Sequence, residues 1–320
     1  MNGLRVVFWG SDDISVPFLR MLAEDPRVVV AGVVSRSDKP KGRGLQARPT
    51  PVSSFALERA LPLLRPHRID GEVREALRAW EPDLGVVVSY GALLPEEVLS
   101  AHRIGVINVH FSLLPKYRGA APIQWALING ETKTGVTIFW LDCGLDTGPV
   151  FLQREVPVGL HDTYATLSRT LAGEGVSALR DAIGRIIAGS PVREPQRGEP
   201  SHAPLITKPL GWIDWRRTAF EIHNLVRALC HWPRAYSRLN LHGSHLEVKV
   251  LRTEPAVADE RDVLDTGGVV EAHGGRLAVR CGKGTRLLIQ ELQPANKRPM
   301  TARDFLCGHP VRVGDRFEHV

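Results

Sequence analysis

Apolar runs and helix-period segments alternate through the first two hundred residues. The runs "LRVVFWG", "VVVAGVVS", "LPLLRP", "PDLGVVVSYG" and "VINVHF" are separated by segments such as "GEVREALRAW" and "PEEVLSAH". Strands that are apolar on both faces have no side left for water, so with helices between them they predict a parallel sheet covered on both sides. The expected fold is therefore α/β, a doubly wound, mostly parallel sheet. The first turn reads "GSDDIS" and lacks the GxGxxG that brings a dinucleotide pyrophosphate to a helix N-terminus, which argues against a nicotinamide enzyme.

The pattern changes after a long helix expected over 163–188. The stretch "GSPVREPQRGEPSHAPLITKPLG" is dense in Pro, Gly and charge and reads as a linker. A helix over "AFEIHNLVRALC" follows, then short alternating segments ("YSRLNLHGSHLEVKVL", "GGVVEAHGGRLAVRC", "TRLLIQELQP") with Gly at the turns. Several short strands at that spacing predict a small, OB-like β-barrel. Two domains are expected, 1–205 and 206–320.

Charge sharpens the second domain. The net charge is +6 and the pI about 9.3, with a net +5 over residues 201–320 and +1 over residues 1–200. A basic barrel suits a polyanionic partner, nucleic acid first among them. No apolar run approaches the about 18 residues of a membrane span, and "MNGLRVVFWG" enters a strand at once, so a cytoplasmic protein without a membrane contact is expected. Four cysteines, Cys143, Cys230, Cys281 and Cys307, lie far apart without a CxxC pair and are expected to be reduced. Cys230, His231, His242 and His245 fit no common ligand spacing, so no metal is expected.

The chemistry concentrates in "VINVHFSLLPKYRGAAPIQWALING", residues 106–130. An apolar strand here places Asn108, His110 and Ser112 on alternate positions, where the run meets a loop. In a doubly wound sheet, reactive groups gather at the carboxyl ends of strands. Gly119, Ala120 and Ala121 are small enough for backbone to approach a ligand. Downstream, "VTIFWLDCGLDTGPVFLQ" offers Asp142, which would close the strand or cap the turn, and Asp146, whose flanking glycines let it lean into a cleft.

"NVHFSLLPKYRGAAPIQ" followed by "TGVTIFWLDCGLDTGPV" resembles the folate-dependent formyltransferases. The resemblance runs the whole chain, through "SVPFL", "SYGALLP", "IDW" at Ile213 to Trp215 and "LQPANKRPM", and with "KPKGRG" it points to the branch acting on initiator methionyl-tRNA. It implies a Rossmann-like catalytic domain in which Asn108, His110 and Asp146 form the catalytic trio. It implies 10-formyltetrahydrofolate as co-substrate, bound across Ser112, Leu113, Leu114 and Pro115 and along "VVVSYGALLP" with Ser89, Tyr90 and Gly91. A nucleotide-sugar amine is the alternative acceptor, and a monomer is expected. The trio suits the reaction: an amide N–H from Asn108 meets an oxyanion, His110 donates a second hydrogen bond or proton, and Asp146 holds the imidazole and takes the amine proton. The segment "SRSDKPKGRGLQARPTP" is longer than the about 2–6 residues usual for such a connection, and its Lys39, Lys41, Arg43 and Arg48 are candidates to clamp an acceptor stem. Phe111 stands where the family often has a small residue or Pro.

Overall fold

Strand β1 (Leu4–Gly10), helix α1 (Val16–Glu24) and strand β2 (Val28–Val34) make the first crossover unit of the computed structural model. It describes residues 3–37, 39–41, 46–241, 243–259 and 264–318. Short strands β3 (Lys39–Lys41) and β4 (Gln46–Arg48) pair with each other before helix α2 (Pro51–Glu58) and strand β5 (Leu63–Leu64). Then come α3 (Gly71–Trp80), β6 (Leu84–Val88), α4 (Glu96–Leu99), β7 (Gly105–His110), α5 (Pro122–Ile128), β8 (Lys133–Trp140), β9 (Val150–Pro157) and the long α6 (Tyr164–Ile187).

The chain divides into two units: Met1–Pro122 with Lys133–Pro157 and Ser168–Pro204, and Ile123–Thr132 with Val158–Leu167 and Leu205–Val320. In the first, the sheet order is β5-β2-β1-β6-β7-β8-β9. The strands from β5 to β7 run parallel, and β8 and β9 are antiparallel additions at one edge. The chain winds outward from β1 to β5 and then returns to β6 on the other side of β1. In doubly wound sheets ligands bind where the strand order reverses, at the carboxyl ends of the central strands. Val6, Val7, Phe8, Trp9, Val86, Val88, Ile107 and Ile138 are fully covered, as the two-sided apolar runs require.

In the second unit, helix α7 (Ala219–Ala228) carries a capping box from Thr218 and Glu221. Strands β10 (Ala235–Leu241), β11 (Ser244–Val257), β12 (Val269–His273), β13 (Arg276–Cys281) and β14 (Thr285–Pro294), then β15 (Met300–Thr301), helix α8 (Ala302–Gly308) and β16 (Arg316–Phe317) follow. The order is β12-β13-β14-β11-β10-β16, every pair antiparallel. An isolated bridge joins Gly268 to Arg316, with Val269 N–H donating to Asp315 O at 2.7 Å. Thus β16 touches both ends of the order and curls the sheet toward closure, the OB-like form. Register shifts near Arg252 let the 14-residue β11 bend around it. The interior holds Trp215, Phe305 and Phe317, with the Trp215 indole N–H donating to Ser237 Oγ at 3.0 Å.

Candidate active site

Two of the three proposed reacting side chains come from β7. Register pairs Asn108 with Phe139 and His110 with Thr137 of β8, so both lie on one side of the sheet at the strand's carboxyl end. Phe111, next in sequence, goes to the other side and meets Phe18 of α1 edge-on, with 6.1 Å between ring centroids. The departure from the family's usual small residue is absorbed in the core.

His110 is 6% exposed, and its Nε2 lies 2.9 Å from the Tyr117 carbonyl oxygen while its Nδ1 lies 3.7 Å from Asp146 Oδ2. A carbonyl only accepts, so Nε2 carries the proton and the neutral ring keeps its Nδ1 lone pair on the Asp146 side. Burial holds the His110 pKa below its ordinary value, while the Asp146 carboxylate and the Tyr117 carbonyl pull it back up. The Asn108 side chain is half-buried, beside His110 on the same side of β7.

Asp146 is 8% exposed and sits in the left-handed region with φ 54°. Its Oδ2 accepts from the Gly119 N–H at 2.8 Å. Gly119 has φ 122°, and a Cβ there would stand 2.7 Å from Ala203 O; at Gly148 it would stand 1.8 Å from Trp140 O. Neither position admits another residue without moving the site. Asp142 behaves differently: its Oδ1 accepts from Gly144 N–H at 3.0 Å and from the Thr147 hydroxyl at 2.7 Å, an Asx-turn that occupies it locally.

Segment 194–203 ties these loops together, which the linker reading did not foresee. Gln196 Nε2 donates to Asp146 O at 2.8 Å and to Gly148 O at 2.9 Å, while its Oε1 accepts from Arg118 at 2.6 and 3.2 Å. Ser201 Oγ accepts from the Tyr117 N–H at 2.9 Å, and Arg118 and Ala203 exchange backbone bonds with this stretch. The same segment therefore holds the carbonyl-bearing residue of His110 and the backbone of Asp146. Proline and charge density mark a segment without periodicity, not one without contacts, so Gln196 and Ser201 carried no signal of their own.

The proposed folate segments lie close by in the chain. Ser112 is fully covered, and its hydroxyl donates to Lys116 O at 2.6 Å. Thr137 Oγ1 donates to Ser112 O and accepts from Leu114 N–H, and Gln153 Nε2 donates to Leu114 O at 2.8 Å. Leu114 and Pro115 are buried and Leu113 half-buried. The polar groups of the turn are thus largely satisfied, by Lys116 O within it and by Thr137 of β8 and Gln153 of β9. Past the carboxyl end of β6, Ser89 and Gly91 take positive φ, and Arg36 donates to the Gly91 carbonyl. Tyr90 packs into the core against Trp9, edge-on at 5.4 Å, where burial raises its phenol pKa.

Within the basic connection Lys39–Lys41 and Gln46–Arg48 pair antiparallel, with Lys39 opposite Arg48. Arg48 is exposed, and Arg43 lies outside the described residues. Among the described residues, no group of three or more His, Cys, Asp or Glu side chains is placed to hold a metal ion, and no helix is long and apolar enough to cross a membrane. His242 is outside the described residues, and His245 instead pairs with Glu318 at 2.6 Å.

The model of the formyl transferase family matches residues 5–183, and that of the formyl transferase C-terminal domain matches residues 205–310. A methionyl-tRNA formyltransferase of Pelobacter propionicus is 42% identical over 98% of this chain and 96% of its own length. One of Clostridioides difficile is 39% identical over 97% and 99%. Among solved structures, an N-formyltransferase of Helicobacter canadensis, in complex with folinic acid and dTDP-3-aminofucose, aligns with TM-score 0.65 at 18% identity over 89% of this chain and 98% of that one. HypX of Aquifex aeolicus in complex with tetrahydrofolic acid aligns with TM-score 0.60 at 17% identity, covering 100% of this chain and 51% of that one. The structural likenesses speak for the fold.

Proposed function

The chain belongs to the formyl transferase family, among the methionyl-tRNA formyltransferases, and on that premise we propose that Asn108, His110 and Asp146 carry its reaction. That reaction moves a formyl group from 10-formyltetrahydrofolate to the free amino group of initiator methionyl-tRNA, in the cytoplasm where translation starts. The single observation that carries the residue assignment is the His110 ring, buried between the Tyr117 carbonyl and the Asp146 carboxylate.

The tautomer fixes the order of proton movements. The amine, whose reference pKa is ~7.7–8.0 for a free α-amino group, attacks the formyl carbon as the free base. The new C–N bond forms, the carbonyl π pair moves to oxygen, and the Asn108 N–H donates to that oxyanion. The former amine now carries a positive charge and an excess proton, which His110 takes at Nδ1. The resulting imidazolium forms beside Asp146, whose charge stabilises it. Nδ1–H then returns the proton to the departing folate nitrogen as the second C–N bond breaks. His110 is the proton carrier in this scheme, and Asp146 stabilises its charged form rather than accepting the amine proton itself.

Folate occupies the crevice between Ser112–Pro115 and Ser89–Gly91, using apolar walls and the remaining lone pairs of the turn carbonyls. Domain 1–205 binds it, and domain 206–320, which carries most of the net positive charge, adds affinity for tRNA. Lys39, Lys41, Arg43 and Arg48 contact the acceptor stem, and the protein works as a monomer. The test incubates the full chain with 10-formyltetrahydrofolate and charged initiator methionyl-tRNA, beside a dTDP-linked 3-amino sugar. Formylation of the tRNA is expected; transfer to the sugar amine in preference would overturn the reading. Arg43→Ala should impair use of methionyl-tRNA with folate binding unchanged; an equal loss of folate affinity would indicate a damaged N-terminal domain, and no loss of tRNA-dependent activity would remove this segment from the tRNA contacts.

A further inference from the structure

The outward side of β10 and β11 has a built cavity of about 420 Å³. Its floor follows from strand register. Tyr236 pairs with Lys249 and Arg238 with Glu247, so these four share one side, while Ala235, Ser237, Leu239, Val248 and Val250 turn into the buried interior. The Trp212 ring meets Tyr236 edge-on at 5.3 Å and carries the Arg238 guanidinium 5.5 Å from its centroid. A bond from Ile213 N–H to Tyr236 O at 2.9 Å fixes that wall. Trp232, just before β10, forms another wall and is 59% exposed, and Lys208 completes the rim.

Three aromatic rings and three cations face this space, against one carboxylate. A free phosphate would use the cations and leave the rings without a partner. An apolar peptide would use the rings and strand the cations. A nucleotide satisfies both, since its base offers a π-face and its phosphates offer charge. A base inside a helical stack has both faces covered, so the ligand must present an unstacked one, as RNA loops and ends do.

We propose that this pocket takes one unstacked nucleotide of the tRNA substrate, with its base against Trp232 and its phosphates between Lys208, Arg238 and Lys249. The proposal rests on the methionyl-tRNA reading above and adds to it a binding site outside the reacting centre. Glu247 is the discordant group and limits affinity.

Steady-state formylation by the full chain, with tryptophan quenching by uncharged tRNA, tests this. Trp232→Ala should raise KM for methionyl-tRNA about fivefold or more, the lower end of what stacking one base contributes, with kcat and the folate KM unchanged. Trp232→Phe should recover most of the loss. Lys249→Ala should reduce the slope of log affinity against log salt by about 1. Glu247→Gln should lower KM, an improvement that a misfolded variant cannot give. Wild-type KM in both Trp232→Ala and Glu247→Gln overturns the proposal. If the unaltered chain does not formylate methionyl-tRNA at all, it is the functional reading that fails. The quenching titration then still decides the pocket: weaker tRNA binding by Trp232→Ala supports it, and equal binding overturns it.

Discussion

Gln196→Ala is the most informative single change, because Gln196 touches the active site only through the backbone of Asp146. The substitution removes two donations to carbonyl oxygens, at 2.8 and 2.9 Å, and the acceptor of the Arg118 guanidinium. A neutral hydrogen bond contributes about 1 kcal/mol net and one to a charged group about 1.5–3. Gln196 and Arg118 are half-buried, so water restores part of the loss, and the expected destabilisation is about 2–3 kcal/mol of the local structure. The same loss frees Asp146 from a left-handed conformation at φ 54° that costs a non-glycine residue about 1–2 kcal/mol. The carboxylate then drifts from His110, and a misplacement of about 1 Å costs on the order of 10²-fold in rate. A fall in kcat of about 10- to 100-fold is expected, with KM for both substrates near wild type. The discriminating readout is the pH dependence. Asp146 raises the His110 pKa, so a displaced Asp146 moves the acid limb of the kcat profile to lower pH. Gln196→Glu keeps an acceptor for Arg118 but cannot donate to the carbonyls, and should not rescue. A Gln196→Ala enzyme that melts earlier yet keeps its kcat and its acid limb would refute the positioning role.

Asn108→Ala, His110→Ala and Asp146→Ala should each lower formyl transfer by about 10²-fold or more with the fold intact by circular dichroism; a folded Asn108→Ala enzyme of normal turnover would remove β7 from the chemistry. His102, His110 and His223 are buried with pKa values pushed below 6.5, chiefly by desolvation, so their contribution is present above the unfolded pKa and lost as pH falls from about 6.5 toward the folded values. Urea midpoints should therefore drop between pH 7 and 5, and a flat profile would contradict the burial of neutral rings. Burial pushes the Cys281 thiol up to about 12, whereas Cys143 and Cys307 are exposed, so a disulfide reagent at pH 8 should modify the latter two in the native protein and Cys281 only after unfolding.

The proposed reacting groups stand out because they break a pattern. Asn108 and His110 are polar positions in an apolar run, and the sheet leaves only the carboxyl end of β7 for them. Turn chemistry separates the two acids, since Asp142 is taken up by its own Asx-turn while Asp146 Oδ2 faces His110 and the Gly119 N–H. What left no trace is pairing without periodicity. Segment 194–203 bonds largely through backbone, to Val150 and Arg118 among others, and backbone groups are the same in every residue. Run "LPLLRP" shrinks to Leu63–Leu64 at the sheet edge, since Pro62 and Pro66 have no N–H to extend a ladder. Lys39–Lys41 carries Pro40 inside a three-residue strand, too short for alternation to register. In "IDW", Ile213 and Trp215 are buried core of the second unit, where the Trp215 and Phe317 ring centroids lie 5.0 Å apart.

The 3.7 Å between His110 Nδ1 and Asp146 Oδ2 is longer than a hydrogen bond, and the tautomer explains why. A lone pair faces a carboxylate, so neither atom has a proton to share. Asp146 Oδ2 instead takes the Gly119 N–H at 2.8 Å. In the proposed mechanism Nδ1 receives the proton of the attacking amine, the same pair then becomes donor and acceptor of opposite charge, and a short contraction turns the gap into a charge-assisted hydrogen bond. The bond thus forms with the charge it stabilises, so it favours the tetrahedral intermediate over the resting enzyme. Gln196 and Ser201 hold the backbone at the two ends of this gap from one segment, Gln196 at the Asp146 carbonyl and Ser201 at the Tyr117 N–H, while the Gly119 N–H holds the carboxylate.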